Sequence, residues 1–461
     1  MPVEHSLFQF LAKALQTHHR FLAGRLSRAE APIYVIGNPS ADLDSIISAI
    51  VYASFAHPRP HVPLINLPSV PAGPELRRLR PEFVKTLWLA TPPPAPDDQT
   101  WADTPESAGP LLHDHLLTVA DFASHLEQTP NHPLSADAVL VDWNALPIRS
   151  PSHARGQGSL PALPSLTFTV LGCIDHHIDE NFLAPITDPD QPILIQPSGS
   201  CTSLVVNMLD KMDRWRRTTT DPNPTSPERQ LAKLAMSPIL IDTSNFTAKE
   251  KVTDADTLAY SFLRSKINAG PHDDAETPWD RNSFYEEINT AKRNSLDLLT
   301  VEEVLDRDYK QWTESPGSES QKEEVEIGIC SMVRSSPWVV RKAGSPESFL
   351  DTLAEFANQK ELQIVMVMTA FTTGPESQFH RELLILAKEG TGVRGVEAFI
   401  DRAGAELGLE EWKVLEGEEG AELREADCTD PTLRKWIWVQ GDVTKSRKQV
   451  APLIREAVGA L

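Results

Sequence analysis

Apolar runs in the first half of the chain share one habit: each ends in side chains able to hold a cation. Residues 33–37, 138–141, 168–174 and 239–241 lead into Asn38 to Asp44, into Asp142, into Asp175-His176-His177 and into Asp242. Short, near-continuous apolar runs separated by helical patterns predict the strands of a buried parallel sheet. In such sheets ligands bind beyond the carboxyl ends of the strands. Four strands would therefore carry these acids and histidines to one place. After the first run, Leu43, Ile46, Ile47, Ile50 and Val51 recur at helical spacing and predict a helix with Asp42 and Asp44 in its first turn.

In the second half the pattern predicts strands over Val325–Met332 and over residues 363–370, 381–387 and 435–439, then a helix over residues 446–458. A chain of 461 residues exceeds what one core usually organises. We expect an α/β protein with a parallel-sheet domain over residues 30–265 and a smaller mixed-sheet domain over residues 284–461, joined by a linker at 268–279. Prolines, 38 in all, gather at 91–133, 147–164 and 218–227; the first two stretches predict surface insertions and the third a break between helices. Residues 314–324 predict an acidic, solvated loop. An amphipathic helix is expected over residues 6–26. His18 and His19 within it need no function, and His113 and His115 are expected at the surface.

Lysines and arginines number 43 against 65 aspartates and glutamates, giving a net charge of −22 and a pI near 5.1. That balance argues against broad nucleic-acid binding, although a few basic residues in a cleft suffice for an anionic substrate. Cys173, Cys201, Cys330 and Cys428 lie far apart without CxxC spacing, which favours a reducing compartment, the cytoplasm. No apolar run is long enough to span a bilayer, and no secretory signal is evident. Residues 6–26 leave a mitochondrial address open. The expectation is a monomer with neither nucleic acid nor membrane as partner.

The candidate ligands differ in strength when taken singly. Asp42 and Asp44 suit a helix start through capping and the helix dipole alone. Asp142, closing a buried strand, is costly unless paired or ligating. Adjacent His176 and His177 after Asp175 are poor core residues, and Asp242 repeats the order of strand then acid. Residues 198–203 predict either an N–H nest for a phosphate or an ordinary strand-to-helix turn, with Cys201 packing rather than reacting.

Taken as an ordered set, Asn38-x-x-x-Asp42-x-Asp44-Ser45, Asp142, Asp175-His176-His177 and Asp242 resemble the DHH phosphoesterase superfamily. The second half resembles that family's DHHA2 domain through Asp308-Tyr309-Lys310, Phe379-His380-Arg381-Glu382-Leu383-Leu384-Ile385-Leu386 and Ser446-Arg447-Lys448-Gln449-Val450. The resemblance runs from about residue 32 to the C-terminus and is nearest to the fungal exopolyphosphatase branch. It implies a hydrolase of phosphoanhydrides with its site in a cleft between the two domains, acting on the ends of inorganic polyphosphate. A pyrophosphatase-like or prune-like enzyme for short polyphosphates or nucleotides is the alternative. It also implies two divalent ions: Asp42 and Asp44 would bind one each, Asp142 would bridge, and His176 and Asp242 would complete the second. His177 would meet a substrate phosphate, with Asp175 orienting a histidine. Lys310, His380, Arg381, Arg447 and Lys448 would bind substrate. Pyrophosphatases of the group carry a histidine ligand where this chain has Asn38. An amide oxygen is a harder ligand than imidazole, so activity with Mg²⁺ is expected beside Mn²⁺ or Co²⁺.

Overall fold

The structure, a computed structural model, describes residues 6–461 apart from 56–57, 92–101, 130–134, 151–153, 186–189, 216–225, 269–278, 318–323, 374–377 and 415–420. The chain divides into two compact units, Met1–Ser295 and Leu296–Leu461.

The first unit opens with α1 (Leu7–Leu22), β1 (Ile33–Ile36), α2 (Leu43–Ala53), β2 (His61–Leu64), α3 (Pro74–Leu79), α4 (Pro81–Ala90), α5 (Pro105–His115) and α6 (Val119–Glu127). It continues with β3 (Ser135–Val141), β4 (Ile148–Arg149), β5 (Gln157–Ser159), β6 (Thr167–Asp175), β7 (Ile193–Ile195), α7 (Cys201–Lys211), α8 (Ser226–Asp242), α9 (Asp254–Asn268) and α10 (Arg281–Asn294). The strands form one sheet in the order β2-β1-β3-β6-β5-β4. β2, β1, β3 and β6 are parallel; β5 pairs antiparallel with the start of β6, and β7 pairs parallel with its end. Successive side chains alternate between two cores, as the pleat requires. Ile33, Val35, Val139 and Val141 pack with Ile47, Val205 and Leu240, whereas Tyr34, Ile36, Ala138 and Leu140 pack with Phe21 and Phe122. The chain leaves β1 through α2 to reach β2 on one side, while β3 lies on the other. The loops after β1 and β3 therefore diverge, and a crevice opens where ligands of open α/β sheets bind.

Two expectations for this unit need correction. Residues 239–241 end α8 and are not a strand. The buried residues Leu231, Leu234, Ala235 and Ile239 recur at helical spacing, which a run of three apolar residues cannot distinguish from a strand. Residues 91–133 are more than a surface insertion: α5 and α6 bury Leu112 and Phe122 in the cores. Proline misled because it opens helices here, at the first position of α3, α4 and α5, where its missing N–H costs nothing. α1 packs on the sheet and buries His18 completely. Most of the expected linker, of residues 218–227 and of residues 314–324 lies outside the described residues.

The second unit holds α11 (Val301–Asp306), β8 (Tyr309–Glu314), β9 (Val325–Met332), α12 (Ser336–Ala343), α13 (Pro346–Gln359), β10 (Ile364–Thr369), β11 (Phe371–Thr373) and β12 (Gln378–His380). β13 (Glu382–Lys388), α14 (Thr391–Leu407), β14 (Leu409–Glu411), β15 (Leu433–Gln440) and α15 (Arg447–Gly459) follow. Its main sheet runs β14-β15-β13-β10-β9-β8 and is mixed, with only β9 and β10 parallel. Alternate residues Ile327, Ile329, Ile364, Met366, Leu383 and Ile385 meet Val396, Phe399, Val450 and Ile454 of α14 and α15. Among the described residues, no helix is long and apolar enough to cross a membrane.

Candidate metal centre

Gly37 ends β1 because α2 must pass close by. A Cβ there would sit 2.9 Å from the Cβ and 3.0 Å from the carbonyl oxygen of Ser45. The approach brings Ser45 Oγ to Asp142 at the end of β3. Ser45 Oγ and Asn38 Nδ2 each donate to Asp142 Oδ2 over 2.7 Å. Asn38 turns its amide oxygen to Ser40, accepting from Ser40 N at 2.9 Å. In this arrangement Asn38 orients Asp142, and its amide oxygen faces Ser40.

The other carboxyl oxygen, Asp142 Oδ1, lies 3.1 Å from His176 Nε2 and is buried without an aligned hydrogen bond. The opposite nitrogen of His176 decides what this contact is. Nδ1 sits 3.0 Å from the Ser198 carbonyl, which can only accept. The proton of a neutral ring is therefore on Nδ1, and the Nε2 lone pair faces a carboxylate lone pair. Such a pair needs positive charge between the two atoms, either a second ring proton or a divalent ion. Bonds of about 2.0–2.2 Å to a shared divalent ion suit a nitrogen and an oxygen spaced this way. The donor set fits a metal.

His177 joins the cluster from the same turn. Its Nδ1 is 2.8 Å from Asp175 Oδ1 and 3.6 Å from Asp142 Oδ1. Asp175 also accepts from the backbone N–H of His176 and His177, and Asn144 Nδ2 donates to its other oxygen. Burial acts to raise Asp175, but the hydrogen bond and charge of His177, with Asn144 and His176, bring it down to about 2. Asp142 behaves oppositely. Burial, reinforced by the charges of Asp44 and Asp42 against the pull of His176, pushes it above the usual carboxylate range.

Asp142, His176 and His177 form a ligand-spaced group; Asp42, Asp44 and Asp242 do not join it at that spacing, though their charges act on it. Asp42 caps α2 through Ser45 N. Asp44 points at the N-terminus of α7, where Ser200 Oγ, Thr202 N and Thr202 Oγ1 donate to Oδ1 and Cys201 N donates to Oδ2. Gly199 N and Ser200 N are taken by Asp256. The nest over residues 198–203 therefore holds the protein's own carboxylates, which settles it as a structural turn and not as a phosphate cradle. Asp242, at the end of α8, is held well above its usual range by burial and by Asp44. Sequence patterns gave no role of their own to Ser45 and Ser198 and missed Asn144 and Asp256, polar residues whose roles arise only from contacts distant in the chain. Arg80 was missed for the same reason: its buried guanidinium donates to the Ser40 and Ala41 carbonyls, propping the loop from Asn38 to Asp42.

In the second unit, Lys310 lies on β8 and His380 ends β12, with its ring stacked on Phe371 and Nε2 2.8 Å from Thr373 Oγ1. Arg381 is buried, donates through Nε to the Val443 carbonyl at 2.7 Å and covers the Phe379 ring. Arg447 grips Asp308 through two 2.6 Å hydrogen bonds at the start of α15, and Lys448 follows it.

Residues 32–239 match the DHH family, N-terminal domain, and residues 286–457 match the DHHA2 domain. A Schizosaccharomyces pombe protein described as "Putative exopolyphosphatase" is 27% identical over 449 residues, covering 95% of this chain and 93% of that protein. The crystal structure of a Methanococcus jannaschii "putative family II inorganic pyrophosphatase" is similar at 18% identity and a TM-score of 0.46, covering 92% of this chain and 99% of that one.

Proposed function

We propose that this chain, whose residues 32–239 match the DHH family, N-terminal domain and whose residues 286–457 match the DHHA2 domain, is a divalent-metal-dependent exopolyphosphatase releasing orthophosphate from the ends of inorganic polyphosphate. The observation that carries the metal dependence is the ligand-spaced group of Asp142, His176 and His177, with His176 Nε2 3.1 Å from Asp142 Oδ1. The printed description of the Schizosaccharomyces pombe relative supports the choice of substrate.

In this reading Asp142 and His176, with Asp42, Asp44 and Asp242, hold two divalent ions, Mg²⁺ or Mn²⁺ with Co²⁺ also accepted. When bound, such ions activate water and neutralise charge on the phosphoryl oxygens. Asn38 and Ser45 fix the Asp142 carboxylate. Asp175, ionised at any working pH, favours a protonated His177, whose Nε2–H would donate to a phosphate oxygen. Lys310, His380, Arg381, Arg447 and Lys448 are assigned to the phosphate chain, whose charge cationic donors must offset as the bond breaks. The chain would act as a monomer in the cytoplasm.

The test is phosphate release from pyrophosphate, tripolyphosphate and long polyphosphate, with Mg²⁺ and Mn²⁺ in parallel. Release from the longer chains should dominate. Faster splitting of pyrophosphate would replace this reading by a pyrophosphatase-like or prune-like one, which Asn38 at the histidine position of the pyrophosphatases disfavours.

A further inference from the structure

A second group of metal-ligating side chains lies on the other face of the β-sheet from α2. His18 and His19 of α1 and His125 of α6 each bring a ring nitrogen within 4.8 Å of the other two. His18 is completely buried, His125 half-buried and His19 exposed. His18 packs edge-on against Phe122, which lies one turn before His125 on α6. Its Nδ1 is 2.9 Å from the hydroxyl of Tyr34 on β1, and its Nε2 is 3.1 Å from His125 Nδ1.

From this arrangement we propose a Zn²⁺ site of three histidines that clips α1 to α6. Two nitrogens bound to one tetrahedral ion at 2.0–2.1 Å lie roughly 3.3–3.4 Å apart, so the buried pair needs to open by only a few tenths of an ångström. His19, exposed and one residue from His18, closes on the ion by rotating its side chain. Tyr34 supplies the outer contact that ligating histidines ordinarily have: accepting the His18 Nδ1 proton fixes the tautomer that leaves Nε2 as ligand. Burial holds all three rings below the ordinary histidine range, and for His18 the neighbouring His125 and His19 add to it. Neutral rings are the form that binds metal. Three imidazoles without an oxygen ligand select Zn²⁺ over Mg²⁺ or Ca²⁺, so this site differs in chemistry from the carboxylate centre. With three protein ligands, the fourth position on the ion is left to water.

Zinc titration of the full-length protein by calorimetry, with Mg²⁺ in excess, tests this. The Asp142→Asn background weakens the carboxylate centre and isolates the histidines. One Zn²⁺ equivalent should persist there, and its affinity should fall at least about tenfold on adding His19→Gln or His125→Gln, and about tenfold to a hundredfold on adding Tyr34→Phe. Zn²⁺ should also raise the melting temperature of the Asp142→Asn protein and leave that of the Asp142→Asn/His125→Gln protein unmoved. His19 is exposed, so its replacement keeps the fold. Zinc binding unchanged by both histidine substitutions, or no equivalent remaining in the Asp142→Asn background, would overturn the site and leave a hydrogen-bonded histidine pair.

Discussion

Replacing Asp142 by asparagine should make the metal-free protein more stable while abolishing its activity. Asp142 Oδ2 accepts from Asn38 and Ser45, and the amide oxygen of the introduced side chain would keep both bonds. The remaining atom decides the outcome. As a carboxylate oxygen it carries a buried charge 3.1 Å from His176 Nε2, which burial, Asp44 and Asp42 disfavour more than His176 favours it; as an amide N–H it would donate to that nitrogen in the neutral ring. His177 Nδ1, 3.6 Å away, already donates to Asp175 and does not compete. The exchange removes a buried charge that its surroundings disfavour and keeps a hydrogen bond to His176, a gain of about 1–3 kcal/mol. At about 2–4 °C per kcal/mol for a unit of this size, the unfolding midpoint should rise by several degrees in chelator. Added Mg²⁺ or Mn²⁺ should then stabilise the wild type and no longer the variant. Phosphate release should drop at least about a hundredfold, since losing a ligand exceeds the cost of losing a residue behind one. Thermal unfolding in chelator and with metal, beside phosphate release, measures all three. A variant less stable than wild type in chelator would refute the argument that the Asp142 charge is disfavoured in the metal-free fold.

Asp175→Asn should keep the fold but set an amide N–H against either His177 Nδ1–H or the Asn144 donor, lowering turnover about tenfold to a hundredfold with little change in KM; an unchanged turnover number would show that His177 needs no orientation. Gly37→Ala should push Ser45 away from Asp142, costing about 1–3 kcal/mol through overpacking and raising the metal concentration needed for half-maximal activity. A metal titration identical to wild type would count against it. His61 gives a pH signature: burial holds it neutral, lowered from 6.5 to about 4. The unfolded chain takes a proton first as pH falls, so stability is full above about 6.5 and is lost between there and about 4, by about 3 kcal/mol. Urea unfolding near neutral pH and near pH 4 should show that loss in wild type and a smaller one in His61→Gln; equal losses would sink the assignment.

How much of this was legible depended on whether the signal was local. The strands ending at Ile36, Val141 and Asp175 could be read because a parallel sheet buries both faces and leaves uninterrupted apolar runs. The second unit could be read because Ile327, Ile329, Ile364 and Met366 alternate toward one helical layer. The run at 239–241 was misread because an apolar triplet carries no period of its own, and its helix is declared only by Leu231 and Leu234 upstream. Proline was read as a loop signal at 91–133 although it stands at a helix start in Pro105. Within the candidate centre, residue types were visible and orientations were not. Nothing near Asp44 in the chain shows that the N–H groups of Cys201 and Thr202, more than 150 positions later, donate to it.

The loops that carry Asp42 and Asp142 and the turn after Asp242 are also where the backbone is strained. Ala41 at φ 43°, Asp142 at φ 55°, and Ser244, Asn245 and Phe246 at φ 49°, 57° and 65° all adopt the left-handed region without being glycine. Each such residue costs about 1–3 kcal/mol and persists only where its surroundings over-determine it. Those surroundings are identifiable. Arg80 holds the carbonyls of Ser40 and Ala41, the Asp142 N–H donates to the Ile174 carbonyl, and the turn after Asp242 is tied by Asn245 N to Leu240 O and by Phe246 N to Thr243 Oγ1. A glycine at any of these positions would relieve the strain and would have announced a turn in the sequence. At 142 it would also remove the carboxylate. Strain is therefore retained where the chain must leave a strand or helix end at an angle that ordinary backbone does not give. This is why three loops, all bearing or following acids, carry five of the eight positive-φ residues that are not glycine among the described residues.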